Sequence, residues 1–315
     1  MSRGKVVIVG AGMVGTSIAY SIINQSICEE IVIIDINEKK AMGEALDMMH
    51  AMEFMNYKTI VRSGNYSDCH NADVIIITAS VPMDSKLSDR MELLSRNRNV
   101  MKSIIESIME YKFNGILLIV SNPVDIMTYY AWKLSGLPKE KVIGSGTTLD
   151  TARLHYYIAN TVDVSPSSVH AFVIGEHGDS EMVAWSTATI GGKDIFNVVK
   201  DNESRIGANP YDKFLSQVKN AGWDVFTKKG NTSYGIAASV TGILKSILYD
   251  ENKVYPVSVY LDGEYGVSDV YVSVPTIINK EGAKEIVELH LTEEENEKFK
   301  SSCDILKNKC IEFLN

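Results

Sequence analysis

Apolar residues along this chain follow two rhythms that take turns. Short unbroken apolar runs at 5–9, 31–34, 59–62, 73–78, 116–120 and 141–143 predict strands buried on both faces. Between them apolar positions recur every three or four residues, as in Ile18, Ala19, Ile22 and Ile23, and predict helices. Further helices are expected from Asn37–Glu38 to about residue 52, over about 89–111 and over about 124–134. Such alternation implies a parallel sheet covered on both faces, with ligands at the carboxyl ends of its strands. Those ends carry Gly10, Asp35, Thr78–Ala79 and Ser121–Asn122–Pro123.

Past a hinge-like break at Gly144–Thr147 the pattern becomes mixed. Helices are predicted over about 149–159, 182–190, 209–226 and 230–248, and strands at 169–174, 254–260 and 269–275 with a turn at 262–266. Thr292 followed by Glu295 is a capping signature for the last helix.

The first strand runs directly into Gly10-Ala11-Gly12-Met13-Val14-Gly15, and a helix follows. In that setting the first glycine allows the tight turn and the second lets backbone approach a pyrophosphate. The third lets helix and strand pack closely, and the helix N-terminus offers free N–H groups to the phosphates. The second strand ends in Asp35, about twenty residues later, where a carboxylate can accept from ribose hydroxyls and would repel a 2′-phosphate. Asp35 could instead cap the helix that Asn37 and Glu38 open. The two features together favour NAD as the cofactor. The expected fold class is α/β: a doubly wound parallel Rossmann sheet over residues 1–145, then a mixed α+β substrate domain over 146–315.

Composition narrows the picture. A net charge of -9 and the lack of any basic run argue against nucleic acid. No apolar run approaches the roughly 18–20 residues that a membrane span needs. The N-terminus shows no signal-peptide pattern, and the four cysteines form no CxxC pair. A cytoplasmic protein with reduced thiols is expected.

Three stretches carry candidate chemistry. His177 sits in a turn bracketed by Gly175 and Gly178 at the end of an apolar run. Taken alone, such a histidine is more often structural than catalytic. Asp150 and Arg153 are three apart on one helix face, an arrangement that a simple intrahelical ion pair also explains. Arg90 lies where a polar, proline-containing loop meets its helix, and the positive end of the dipole is a poor place for a cation.

The segments GAGMVG, IVIIDIN, DRMELLSRN, SNPVD, GSGTTLDTAR, GEHGDS and KKGNTSYGIA, in that order and spread nearly end to end, resemble the NAD-dependent L-lactate and malate dehydrogenase family, on its lactate side. The resemblance implies that His177 is the proton donor and acceptor and that Asp150 orients it. Arg153 would grip the substrate carboxylate, and Arg90 would polarise the substrate carbonyl. Asn122 would contact substrate and hold the nicotinamide region, and Thr232 and Ile236 would line the pocket. The cofactor would lie along Gly10, Gly12, Met13, Val14, Gly15, Asp35, Thr78, Ala79, Val120, Asn122 and Ile236. The chemistry asks for such a set on its own account. Reduction of a 2-keto acid needs an acid titrating near neutrality, a cationic donor at the carbonyl oxygen and a planar guanidinium fork for the carboxylate.

The chain departs from the family in two places. Its substrate loop, Ala79 to Arg90, is one residue longer than usual, lacks the usual glutamine, and has Ser80 in place of a glycine. Met83 and Asp84 are the candidates to meet the substrate side chain. No arginine precedes Arg90, while Asp84 and Asp89 add negative charge, which disfavours oxaloacetate. Flexible Met83 would suit larger alkyl 2-keto acids as an alternative to pyruvate. The second departure is at the effector position: His155 and His170 stand where many bacterial relatives use an arginine and a histidine to bind fructose 1,6-bisphosphate, so weak or absent activation is expected. A catalytically inactive nucleotide-binding protein is the distant alternative. A homo-oligomer is expected, a tetramer ahead of a dimer.

Overall fold

The computed structural model of the chain describes residues 4–81, 90–207 and 209–314, apart from the side chains of 90–95 and 314. Its first half alternates β1 (Lys5–Val9), α1 (Met13–Gln25), β2 (Glu30–Ile34), α2 (Glu38–His50), β3 (Ile60–Ser63), β4 (Val74–Ile77), α3 (Arg90–Glu110), β5 (Ile116–Ile119), α4 (Val124–Ser135) and β6 (Val142–Gly144). These strands pair in parallel in the order β3-β2-β1-β4-β5-β6. Strand order reverses between β1 and β4, and the crevice beyond their carboxyl ends is where ligands of such sheets bind. Val6, Val7 and Ile8, on both faces of β1, are fully buried, as helices on either side require.

The second half comprises α5 (Thr148–Val162), β7 (Val169–His170), β8 (Val173–Ile174), β9 (Met182–Val183), β10 (Thr189–Ile190), β11 (Lys193–Asp194), α6 (Ile195–Asp201), α7 (Glu203–Ile206), α8 (Tyr211–Lys229), α9 (Tyr234–Leu248), β12 (Lys253–Asp262), β13 (Ser268–Asn279), β14 (Gly282–Ile286) and α10 (Glu293–Leu314). The sheet does not stop at the hinge-like break. β12 joins β6 in antiparallel fashion where Ser258 lies opposite Gly144, and β13 and β14 extend it to nine strands. A side chain at Gly144 would come within 2.4 Å of the Thr128 hydroxyl, so this close join needs glycine. One apolar core therefore runs through both halves. A second, smaller core of Leu154, Ile158, Val173, Val183, Phe214 and Val218 fixes α5 against α8 and the chain around β8.

Two predicted elements need correction. Residues 182–190 are not a helix but β9, one tight turn at Trp185–Thr187, and β10. A continuous apolar run suits a buried strand as well as a helix, and here Met182, Val183 and Ala184 are all buried in succession. β9 also satisfies the backbone of β8, its antiparallel partner. The run at 169–174 is two short strands, because β7 pairs with β10 while β8 pairs with β9. The predicted cap of α10 is present: Thr292 N–H donates to Glu295 Oε2 at 3.0 Å, and Glu295 N–H donates to Thr292 Oγ1 at 3.2 Å. Burial pushes all four cysteine thiols up to about 12, which keeps them protonated and inert.

Candidate active site

A cleft of about 630 Å³ opens beyond the carboxyl ends of the parallel strands. Eight residues singled out in the sequence line it: Val14, Thr78, Val120, Asn122, Arg153, His177, Thr232 and Ile236. They come from six separate places along the chain, so the fold brings together what the sequence holds apart. Gly10, Gly12, Met13, Gly15, Asp35 and Ala79 stand around the end of β1 instead of lining this cleft. Met83, Asp84 and the side chain of Arg90 lie outside the described residues; the backbone of Arg90 opens α3.

The glycine turn is shaped for a phosphate-bearing ligand. Gly10 has φ of 115°, a conformation that favours glycine. A Cβ on Gly15 would lie 1.9 Å from the Gly10 carbonyl oxygen, so α1 can pack on the turn only without one. A Cβ on Gly12 would meet nothing within 4 Å, which leaves that backbone open to approach. The N-terminus of α1 has no side-chain cap and no acid in its first turn, so its N–H groups and dipole remain available to an anion. Asp35 accepts from Ala11 N–H at 2.7 Å and from Asn37 N–H at 2.8 Å, tying the glycine turn to the end of β2. It does not cap α2, because Asn37 does so by accepting from Lys40 N–H. These residues fit a dinucleotide.

Opposite this cradle, α5 and the turn after β8 meet. Asp150, buried in the first turn of α5, uses one carboxylate oxygen to hold His177 Nδ1 at 2.6 Å. Its other oxygen accepts from Arg153 Nη1 at 2.8 Å. One carboxylate thus fixes both the imidazole and the guanidinium. His177 Nε2 has no hydrogen-bond partner among the described residues, and the side chain keeps 28% of its surface open. The backbone holds the ring from behind. His177 N–H donates to Asp125 Oδ2 at 2.8 Å, and Ser258 Oγ donates to the other oxygen of Asp125 at 2.6 Å. Gly175, with φ of 95°, exchanges two backbone hydrogen bonds with Ser273 of β13.

The electrostatics suit an acid. Burial opposes a charge on His177, but the charge and hydrogen bond of Asp150 outweigh it and raise the imidazole pKa to about 9. Burial alone would raise the Asp150 pKa as well, yet His177 and Arg153 together hold it below the usual carboxylate value. At neutral pH the pair is imidazolium and carboxylate.

Two family models cover nearly the whole chain: "lactate/malate dehydrogenase, NAD binding domain" matches residues 4–144, and "lactate/malate dehydrogenase, alpha/beta C-terminal domain" matches residues 147–314. The chain belongs to the lactate/malate dehydrogenase family. Within it, the chain is 49% identical over 309 residues to L-lactate dehydrogenase 2 of Bacillus anthracis, with 98% of each chain covered. It is 46% identical over 304 residues to L-lactate dehydrogenase 3 of the same organism, with 96% of each covered. Among solved structures, the minor L-lactate dehydrogenase of Enterococcus mundtii in its ligands-bound form superposes with a TM-score of 0.94 at 44% identity, covering 98% of this chain and 97% of that one.

Against that family background, the structure adds residues that the sequence did not single out. Asp125 sits inside the SNPVD segment, but its contact with His177 depends on Ser258, 133 residues away. Gly222, Trp223 and Phe226 of α8 line the cleft beside Arg153, and the two rings stack at 5.6 Å. Their sequence signal was slight: aromatic residues off the apolar stripe of a helix, with Trp223 65% exposed. Glu181, an acid heading an apolar run, is buried next to the His177–Asp150 pair.

Proposed function

We infer that this protein is an NAD-dependent L-lactate dehydrogenase that interconverts L-lactate and pyruvate. The observation that carries this reading is the His177–Asp150–Arg153 chain, whose imidazole and guanidinium share one cleft with Val14 and Thr78 beside the glycine turn. Relatives at 46–49% identity over nearly the full length bear the same activity in their names. When bound, NADH supplies the hydride that the carbonyl carbon of pyruvate receives. His177, held protonated by Asp150, gives its proton from Nε2 to the carbonyl oxygen, and in the reverse direction takes it from the lactate hydroxyl. Arg153 pairs its fork with the substrate carboxylate. Asn122, Thr232 and Ile236, which line the cleft, would contact the substrate and the nicotinamide. The roles assigned to Arg90, Met83 and Asp84 rest on sequence resemblance. Residues 1–145 would hold the cofactor and 146–315 the substrate.

We propose further, on the same family resemblance, a cytoplasmic enzyme of fermentative glycolysis acting as a homotetramer. The net charge of -9 supports the absence of a nucleic-acid partner. Among the described residues, no helix is long and apolar enough to cross a membrane. Exposed Met42, Leu46 and Phe54, on and just after α2, supply apolar surface for self-association.

The test is a spectrophotometric panel of NADH oxidation with pyruvate, 2-ketobutyrate, 2-ketoisocaproate, phenylpyruvate and oxaloacetate. Pyruvate should give the highest kcat/KM, and oxaloacetate should be poor. A preference of tenfold or more for 2-ketoisocaproate would move the assignment to a larger 2-hydroxy acid. A second measurement concerns regulation. His155 Nε2 is engaged at 2.8 Å with the Ala171 carbonyl, and burial lowers its pKa, so at pH 7 it is neutral and offers a phosphate no charge. Micromolar fructose 1,6-bisphosphate should therefore change activity at pH 7 by less than about twofold; tenfold activation would contradict this account of His155.

A further inference from the structure

We propose that Glu181 is a positioning residue of the His177–Asp150 pair, a buried acid whose own charge state governs how tightly the imidazole holds its proton. The proposal rests on the lactate dehydrogenase reading above. Glu181 lies between the His177 turn and β9 and is only 4% exposed. A ring nitrogen of His177, a carboxylate oxygen of Asp150 and a carboxyl oxygen of Glu181 all fall within 4.8 Å of one another. Among the described residues, Glu181 Oε1 has no hydrogen-bond partner although it is fully enclosed. Enclosing an unpaired acid is costly, and its apolar neighbours Met182, Val183 and Ala184 show that the packing here does not demand one.

The groups around Glu181 set its charge. Asp150 and Arg153 face it from α5, His177 from its own turn, and Lys219 from α8, where the ammonium donates to the Asp179 carbonyl oxygen at 2.6 Å. Asp125 of α4 lies behind His177, held by Ser258. Glu176 is already paired with Lys309 of α10. Burial first, and then the charge of Asp150, push the Glu181 pKa up to about 8 against the pull of His177, Lys219 and Arg153. At neutral pH Glu181 is therefore an uncharged acid, and the carboxylates that act on the imidazolium are Asp150 at Nδ1 and Asp125 at the backbone N–H. On the alkaline side Glu181 ionises, and the added negative charge strengthens the hold on the imidazolium proton. That proton must leave when pyruvate is reduced and return when lactate is oxidised, so Glu181 sets how far into the alkaline range reduction stays fast and where oxidation becomes fast.

Glu181→Gln and Glu181→Leu both remove the ionisation. The first keeps the shape, and the second replaces an enclosed unpaired acid with an apolar group of similar size. Two readouts apply: the pH profile of kcat/KM for pyruvate, and the titration of the His177 imidazole by NMR in cofactor-free protein, assigned with a His177→Gln control. In both variants the alkaline midpoint should move to lower pH by about half a unit or more, a threefold or larger loss of proton affinity. Midpoints within about 0.2 units of the wild type by both readouts would overturn the proposal, and so would a shift confined to Glu181→Leu, which would report packing alone. A wild type that reduces none of the 2-keto acids would remove the lactate dehydrogenase reading, while the imidazole titration, which needs no substrate, would still decide the role of Glu181.

Discussion

Replacing His177 with alanine should lower kcat for pyruvate reduction by about a hundredfold or more, the usual contribution of a positioned acid. The expectation follows from where the imidazole stands. Nδ1 is committed to Asp150, so the nitrogen left to meet substrate is Nε2, and among the described residues lining the cleft Arg153 is the only other titratable side chain. Arg153 lies beside it, but a guanidinium does not give up a proton near neutrality. The fold should tolerate the change, because the turn is held through backbone, by Asp125 at the His177 N–H and by Ser273 at Gly175. The pH dependence has a definite sign. Reduction needs the imidazolium, which Asp150 sustains until the pH passes about 9. Accordingly, kcat/KM for pyruvate should hold through neutral pH and fall above about 9, while lactate oxidation should rise through the same range. Turnover by the alanine variant within about tenfold of the wild type would rule out the acid role.

The reach of the sequence differs between these residues for a physical reason. The glycine turn and the His177 turn are written locally: strand, glycines at fixed spacing and helix are neighbours in the chain, so pattern alone places them. Asp150 and Arg153 looked like a helix-surface ion pair, and that pair exists, but its meaning comes from His177 at the other oxygen of the same carboxylate. Asp125 and Glu181 were silent because what sets them apart is burial beside the imidazole, which rests on groups distant in the chain such as Ser258 at Asp125. The helix expected over 182–190 failed for the same reason. A run buried at every position suits a strand or a helix, and pairing with β8, which periodicity does not reveal, decides for the strand. The sheet that continues through β12 was equally invisible, because its join to β6 is one bridge between Gly144 and Ser258.

Arg153→Lys should raise the Michaelis constant for pyruvate by about ten- to a hundredfold, and kcat should fall with it. A lysine keeps the charge but offers a point ammonium in place of a planar fork, so one of the two parallel hydrogen bonds to a carboxylate is lost. Hydrogen bonds to charged groups are worth about 1.5–3 kcal/mol, which sets the range. The second effect is particular to this site. Arg153 Nη1 also donates to Asp150, the same carboxylate that orients His177, so shortening the cation loosens the residue on which the imidazole depends. Gly222 makes the reorganisation easier: a Cβ there would lie 3.6 Å from Arg153, and without one the space beside the guanidinium stays open to a displaced side chain or to water. A change in the Michaelis constant alone would mean that Arg153 only anchors substrate, and an unchanged constant would remove it as the carboxylate clamp. A joint change, with the alkaline limb of the pH profile also displaced, is the signature of a guanidinium that serves substrate and Asp150 together.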